Sequence, residues 1–215
     1  MPEEYAFPLM LGLAVIVMGA FGIGTLVNIR KGDQMLKWMR GGMPLIGERA
    51  TMRWLGSSVV EVKLTKSHAP FRTAETLVVL EPRDVLILWG WTRWQGRRDL
   101  LIFRSQLSSA PKFELEILDP HSWTTHRTER DVKKKNWQSL TLPTTPLRIY
   151  QSGNERVDVQ RLIDLASQVG GKLVRLSVHR SVPNLEVHWL MPNVNQDNAH
   201  EWFSHLKELA RYLTA

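Results

Sequence analysis

An α+β fold behind one membrane-crossing helix is predicted by three features of the sequence. Residues 6–27 form an unbroken apolar run without a charged side chain. From Thr51 onward, short segments alternate apolar and polar residues, the period of a half-buried strand. Two stretches, 155–169 and 195–213, instead repeat their apolar residues at helical spacing. The chain has 215 residues, 43% hydrophobic and 23% charged, enough to bury a core behind the anchor.

The apolar run comes first. About 20 apolar residues at roughly 1.5 Å each cross a hydrocarbon core of about 30 Å. Lipid cannot hydrogen-bond the backbone, so the run must be helical, with Pro8 tolerated in its first turn. A cleaved signal peptide would carry a basic start, whereas Glu3 and Glu4 make this one acidic, so an uncleaved anchor is expected. Arg30, Lys31, Lys37 and Arg40 follow the run, and basic flanks face inward. The expected layout is a plasma (inner) membrane protein. It has a short outside tail over 1–5, a membrane helix over 6–28 and a cytoplasmic remainder. The absence of Cys suits a reducing compartment.

Within the run, Gly12, Gly19 and Gly22 fall near one helical face, and Ala20 and Gly24 on an adjoining one. Small residues let a second helix approach, so a partner helix is expected on this seam. The competing reading is the general abundance of Gly in membrane helices.

Residues 29–48 alternate apolar and basic side chains around Trp38, which suits the headgroup layer. An interfacial segment broken at Gly41-Gly42 is expected, with a plain linker as the alternative. A first α+β subdomain follows over 49–120. Val60, Val62 and Leu64 mark one strand and 75–80 another. Pro82 and Asp84 then open a helix over 85–94, with a buried strand as the alternative, and 100–104 and 113–118 form a strand pair. Residues 121–145 are polar and basic and read as a loop or insertion. The second subdomain, 146–215, has the order βαββα. It contains a strand at 147–151 and a helix with the stripe Val159, Leu162, Ile163 and Ala166, ended by Gly170-Gly171. A hairpin over 172–191 and the last helix complete it. The hairpin should bury one face and leave Arg175, Ser177, His179, Glu186 and His188 on a wet one.

Pro111 to Pro120 and Pro183 to Pro192 share one pattern, Pro-x-apolar-Glu-apolar-x-apolar-Leu-x-Pro, 72 residues apart. The same offset superposes strand on strand and helix on helix, which suggests two tandem βαββ units. Coincidence between Pro-ended strands is the competing reading.

Chemistry is sparse. Without Cys no thiolate zinc site can form. His121 and His126, like His200 and His205, stand five apart, off the spacing of helical metal pairs. Gly170-Gly171 closes a helix instead of opening one, so it cradles no phosphate. Glu114 and Glu116 read as wet-face charges. His179, Glu186 and His188 are the one His/carboxylate cluster to inspect. No metal, cofactor, small-molecule substrate or catalytic residue is expected, and no nucleic-acid motif accompanies the net charge of +7.

Trp89, Trp91 and Trp94 cluster with Arg93, Arg97 and Arg98. Both residue types are enriched at binding hot spots and at the headgroup layer, so a partner or membrane surface is expected here. The function these features suggest is an accessory or scaffold subunit of a larger membrane complex, contacting lipids and other membrane-protein subunits. The alternatives are a membrane-tethered sensing domain and, more remotely, a lipid-acting enzyme.

Overall fold

The computed structural model describes residues 5–153, 155–167 and 171–214. The predicted outside tail, apart from Tyr5, falls outside this set. So do the Asn154 turn position and the end of the helix expected to reach 169 and Gly170.

The described residues form an α+β structure with five helices and one nine-stranded antiparallel sheet. Helix α1, Ala6–Met39, is long and apolar enough to cross a membrane. It does not stop at the predicted boundary near residue 28. It runs unbroken into the fold, where Asn28, Gly32, Met35 and Met39 are buried at i, i+4, i+7 and i+11. The interfacial segment expected over 29–48 is thus the last turns of α1, a 3-10 turn at Met43–Leu45 and the start of the first strand. The reason is the stripe just named: once a helix carries apolar residues at this spacing, burial against a sheet outweighs a position in the headgroup layer.

The strands are β1 (Gly47–Trp54), β2 (Val59–Ser67), β3 (Phe71–Val79), β4 (Leu100–Leu107) and β5 (Glu114–Leu118). They continue as β6 (Gln138–Leu140), β7 (Arg148–Ser152), β8 (Leu173–Val178) and β9 (Leu185–Leu190). The remaining helices are α2 (Leu86–Trp94), α3 (Thr125–Lys134), α4 (Val159–Ser167) and α5 (Ala199–Thr214). Strand order across the sheet is β1-β2-β3-β4-β9-β8-β5-β7-β6.

Two expectations fail at this level. The strands expected to pair as 100–104 and 113–118 are not neighbours: β9 and β8 stand between β4 and β5. The β8–β9 hairpin inserts there because its inward face, Leu176, Val178, Leu185 and Val187, is fully apolar and suits the centre of the sheet. The basic stretch expected as a loop holds helix α3. Its buried positions Thr125, Glu129 and Val132 fall at i, i+4 and i+7, but only one is aliphatic. The order also interleaves the two proposed βαββ halves. β3 and β7, equivalent under the 72-residue offset, have different neighbours.

One face of the sheet carries the core. The second half of α1 and helices α4 and α5 pack on it, with Met35, Met39, Val62, Phe103, Leu115, Val187, Trp189, Trp202 and Phe203 buried. Trp38 stands edge-on to Trp202 at 5.4 Å between ring centroids and donates its indole N–H to the Asp197 carbonyl oxygen at 2.6 Å. The opposite face is covered in part by α3, where Leu118, Val132 and Tyr150 meet Trp137.

Candidate functional site

Two assemblies of polar side chains stand out. The first joins α1 to the sheet. Asn28, fully buried, is the first polar residue after the core of the apolar run. Its amide donates to the Glu81 carbonyl oxygen at 3.0 Å and accepts from Arg83 Nη1 at 3.0 Å. Arg83 also grips both carboxylate oxygens of Asp99 at 2.9 Å, the bidentate geometry that strengthens such a pair. Lys31 Nζ reaches Asp99 at 2.8 Å and the Glu81 backbone N–H reaches it at 2.7 Å. Burial pushes the Asp99 carboxyl upward, but these donors outweigh it and hold it below its ordinary value. The Glu81 carboxylate, also buried, accepts from Trp89 Nε1 and from Arg93 Nη1 at 2.9 Å.

Helix α2 is built on this junction. A side chain at Gly24 would collide with the Arg83 and Asp84 backbone, so Gly24 is where the α2 entry presses on α1. Ala20, one turn earlier, lines with Leu86 the groove between the two helices. This half of the predicted small-residue seam therefore receives a segment of the same chain. Among the described residues, a Cβ added at Gly12, Gly19 or Gly22 would meet nothing within 4 Å. Around α2, Val85, Leu86, Ile87, Trp91 and Trp94 are exposed, Ile87 by 88% and Trp94 by 79%. Arg93 stacks over Trp89, and Arg97 over Trp123 with the guanidinium carbon 4.8 Å from the ring. Burial lowers the Arg97 pKa against the pull of Glu81 and Asp99.

The other predicted surface residues divide. Arg30, Lys37 and Arg40 are exposed. Lys31 is tied to Asp99, and Trp38 is turned to the core because it lies on the same side of α1 as Met35 and Met39.

The second assembly lies on the outer face of the sheet and contains His179, Glu186 and His188. The face is not wet as expected: Glu116 is 1% exposed, and Ser177, Glu186 and His188 are buried. Neither does Glu116 decorate an exposed strand. Because β5 pairs with β8, Glu116 lies opposite Ser177. It accepts from Ser177 Oγ at 2.7 Å, from Arg175 at 2.9 and 3.0 Å, and lies 2.9 Å from His179 Nε2. Burial raises this carboxyl, and the bonds from His179, Arg175 and Ser177 together bring it below its usual range.

Glu186 is bound by Arg104 Nε at 2.7 Å, by Arg175 Nη1 at 3.3 Å and by His188 Nε2 at 2.6 Å. Against the cost of burial, these partners hold it at about 2. Burial lowers the His188 pKa, so the ring is neutral at neutral pH and donates Nε2–H to Glu186. Among the described residues its buried Nδ1 has no partner, so a second proton there would find no acceptor.

An open groove of about 650 Å³ runs beside this cluster, bounded by Lys63, Glu75, Arg104, Glu186 and the Val182-Pro183 turn. A third patch lies on α3, where Lys133, Tyr150 and Arg148 hold the Glu129 carboxyl at about 2.

Asn28, Glu81, Arg83 and Asp99, and on the sheet Arg104 and Glu116, were not foreseen as site residues. Their one sequence signal is position. Asn28 ends the apolar run, and Glu81 and Asp99 bracket α2. No protein-family model and no curated protein matches the chain.

Proposed function

We propose that this chain is a single-pass membrane-anchored scaffold subunit of a larger membrane complex. Its N-terminus is outside and its sheet domain lies on the cytoplasmic side. The observation that carries this reading is the continuity of α1, which leaves the apolar span and enters the core without a break. The Asn28–Arg83–Asp99–Lys31 junction seals the joint. The domain is thereby held in one pose against the bilayer. Preorganisation of that kind reduces the ordering cost of recruiting a partner, which suits a scaffold. The cytoplasmic placement is supported by the cations on one side of the span, Arg30, Lys37 and Arg40 on α1 and Arg93 and Arg98 after it.

The groove beside Arg104 and Glu186 favours a second reading, a membrane-held sensing domain whose ligand lies across β2, β3 and β4. The two readings separate when the full chain is extracted from its own membranes in a mild detergent and weighed intact. A scaffold co-purifies with at least one other chain in fixed ratio. A monomer without a companion chain contradicts the scaffold, and a monomer carrying a small molecule supports the sensor.

A further inference from the structure

A cationic cleft and an apolar groove share a wall where α2 meets α1. The cleft, about 350 Å³, opens between Lys31, Arg93 and Arg98, with Glu81 and Asp99 in its floor. Its carboxylates are already occupied: Asp99 by Lys31 and Arg83, Glu81 by Arg93 and Trp89. Among the described residues Arg98 meets only carbonyl oxygens, those of Arg93 at 3.1 Å and Arg97 at 2.7 Å. Four cations, Lys31, Arg83, Arg93 and Arg98, therefore stand around two carboxylates, and the excess is positive.

The groove, about 600 Å³, runs along α1 past Ile16, Gly19, Ala20 and Ile23 and is walled by Leu86 and Trp89. Trp89 is also the donor to Glu81 in the cleft, and Arg83 lines the groove while gripping Asp99. An apolar tail in the groove and an anionic head in the cleft would lie on either side of the Trp89–Glu81 and Arg83–Asp99 pairs. The volumes fall in the range of about 300–1,000 Å³ typical of ligand sites. The groove borders the apolar run, where acyl chains are the solvent, and the cleft lies where the run ends, at headgroup depth. A partner helix fits less well, because Gly24, the close-approach point of the seam, is already covered by Arg83 and Asp84.

We infer that the α1–α2 junction binds one anionic phospholipid, with its phosphate among Lys31, Arg93 and Arg98 and one acyl chain in the groove over Gly19 and Ala20. The inference rests on the membrane-anchored half of the proposed function and is independent of the scaffold half. Resistance to alkaline carbonate reports the anchor, and co-purifying chains report the scaffold.

The test uses the full chain in mild detergent with an equal mixture of phosphatidylglycerol and phosphatidylcholine, and reads retained lipid by native mass spectrometry. The wild-type chain is expected to keep one phosphatidylglycerol. Arg98→Gln lowers its retention about fivefold, the effect of about one surface cation. Gly19→Leu, whose Cβ meets no neighbouring atom, fills the groove and lowers retention of any phospholipid. Ala20→Leu serves the same purpose should that variant fail to fold, and Arg49→Gln on β1 leaves retention unchanged. Equal retention of phosphatidylcholine, or wild-type retention by either the cleft or the groove variant, overturns the proposal. So does displacement of the lipid by inorganic phosphate, which would mean a free-anion site. Loss of a companion chain on filling the groove, with lipid unaltered, would assign the groove to a helix instead.

Discussion

Arg175 is the residue that makes the outer face of the sheet tenable. Its guanidinium lies between two carboxylates, Glu116 and Glu186, and bonds to both. A buried carboxylate that loses its cation keeps its desolvation penalty, and such losses cost about 3–5 kcal/mol. Arg175→Met is therefore expected to lower the unfolding free energy in detergent by about 3 kcal/mol or more. Adding Glu116→Gln should recover part of that, measured as the urea midpoint of far-UV circular dichroism. The same face sets a pH dependence. Glu186 is depressed to about 2 from its ordinary value of 4.5, so its contribution is complete above 4.5 and fades as pH falls toward 2. His188 is depressed below 6.5, so the unfolded chain takes up its proton first and stability begins to decline as pH falls through 6.5. Both act in one direction. The urea midpoint should fall slightly below pH 6.5 and steeply below pH 4.5, and a midpoint flat over that window contradicts the geometry. Alternation along the hairpin was enough to group His179, Glu186 and His188. It could not reveal Glu116, whose place depends on β5 pairing with β8 across 57 or more residues of chain.

At the scale of elements, α1 and α2 act as one unit. Gly24 has no space for a side chain, whereas Gly22, two residues away, faces open surroundings. Gly24→Leu is expected to pry α2 from α1 and destabilise the fold by about 1–3 kcal/mol, the usual cost of overpacking. Gly22→Leu is expected to be neutral by the same urea titration. Equal effects at both positions would mean that α2 does not pack there. The helical spacing of α4 and α5 was legible because their apolar residues recur at i, i+3 and i+4, whereas α2 was legible from its length and the Gly96 that follows it. Helix α3 was not. It is held by Glu129 bridging to Arg148 and Tyr150, and a polar anchor of that kind leaves no hydrophobic stripe. The continuation of α1 through Met35 and Met39 was also hidden, because Lys37 and Arg40 between and after them resemble the rim of a membrane. Local pattern cannot say whether a sheet or a headgroup layer receives Trp38.

For the whole molecule, the class and the one helix long and apolar enough to cross a membrane followed from periodicity and length, while the sheet order did not. Strand pairing joins segments far apart in sequence, such as β4 with β9, and rests on which faces are apolar once assembled. The proposed placement of the domain against the membrane is equally non-local. It emerges from Asn28, Arg83 and Asp99 closing around the end of α1, with the exposed apolar side of α2 set beside the run. That fixed pose is the central claim, and the chain lends itself to a direct test because it contains no Cys. A single cysteine carrying a nitroxide label is placed in turn at Ile87 on α2 and at Arg49 on β1, in the full chain reconstituted in lipid vesicles. Collision rates with oxygen and with a water-soluble nickel chelate then give depth. The label at Ile87 is expected to favour oxygen and the label at Arg49 the chelate. Equal chelate access at the two positions would contradict a domain held against the bilayer through α1 and α2.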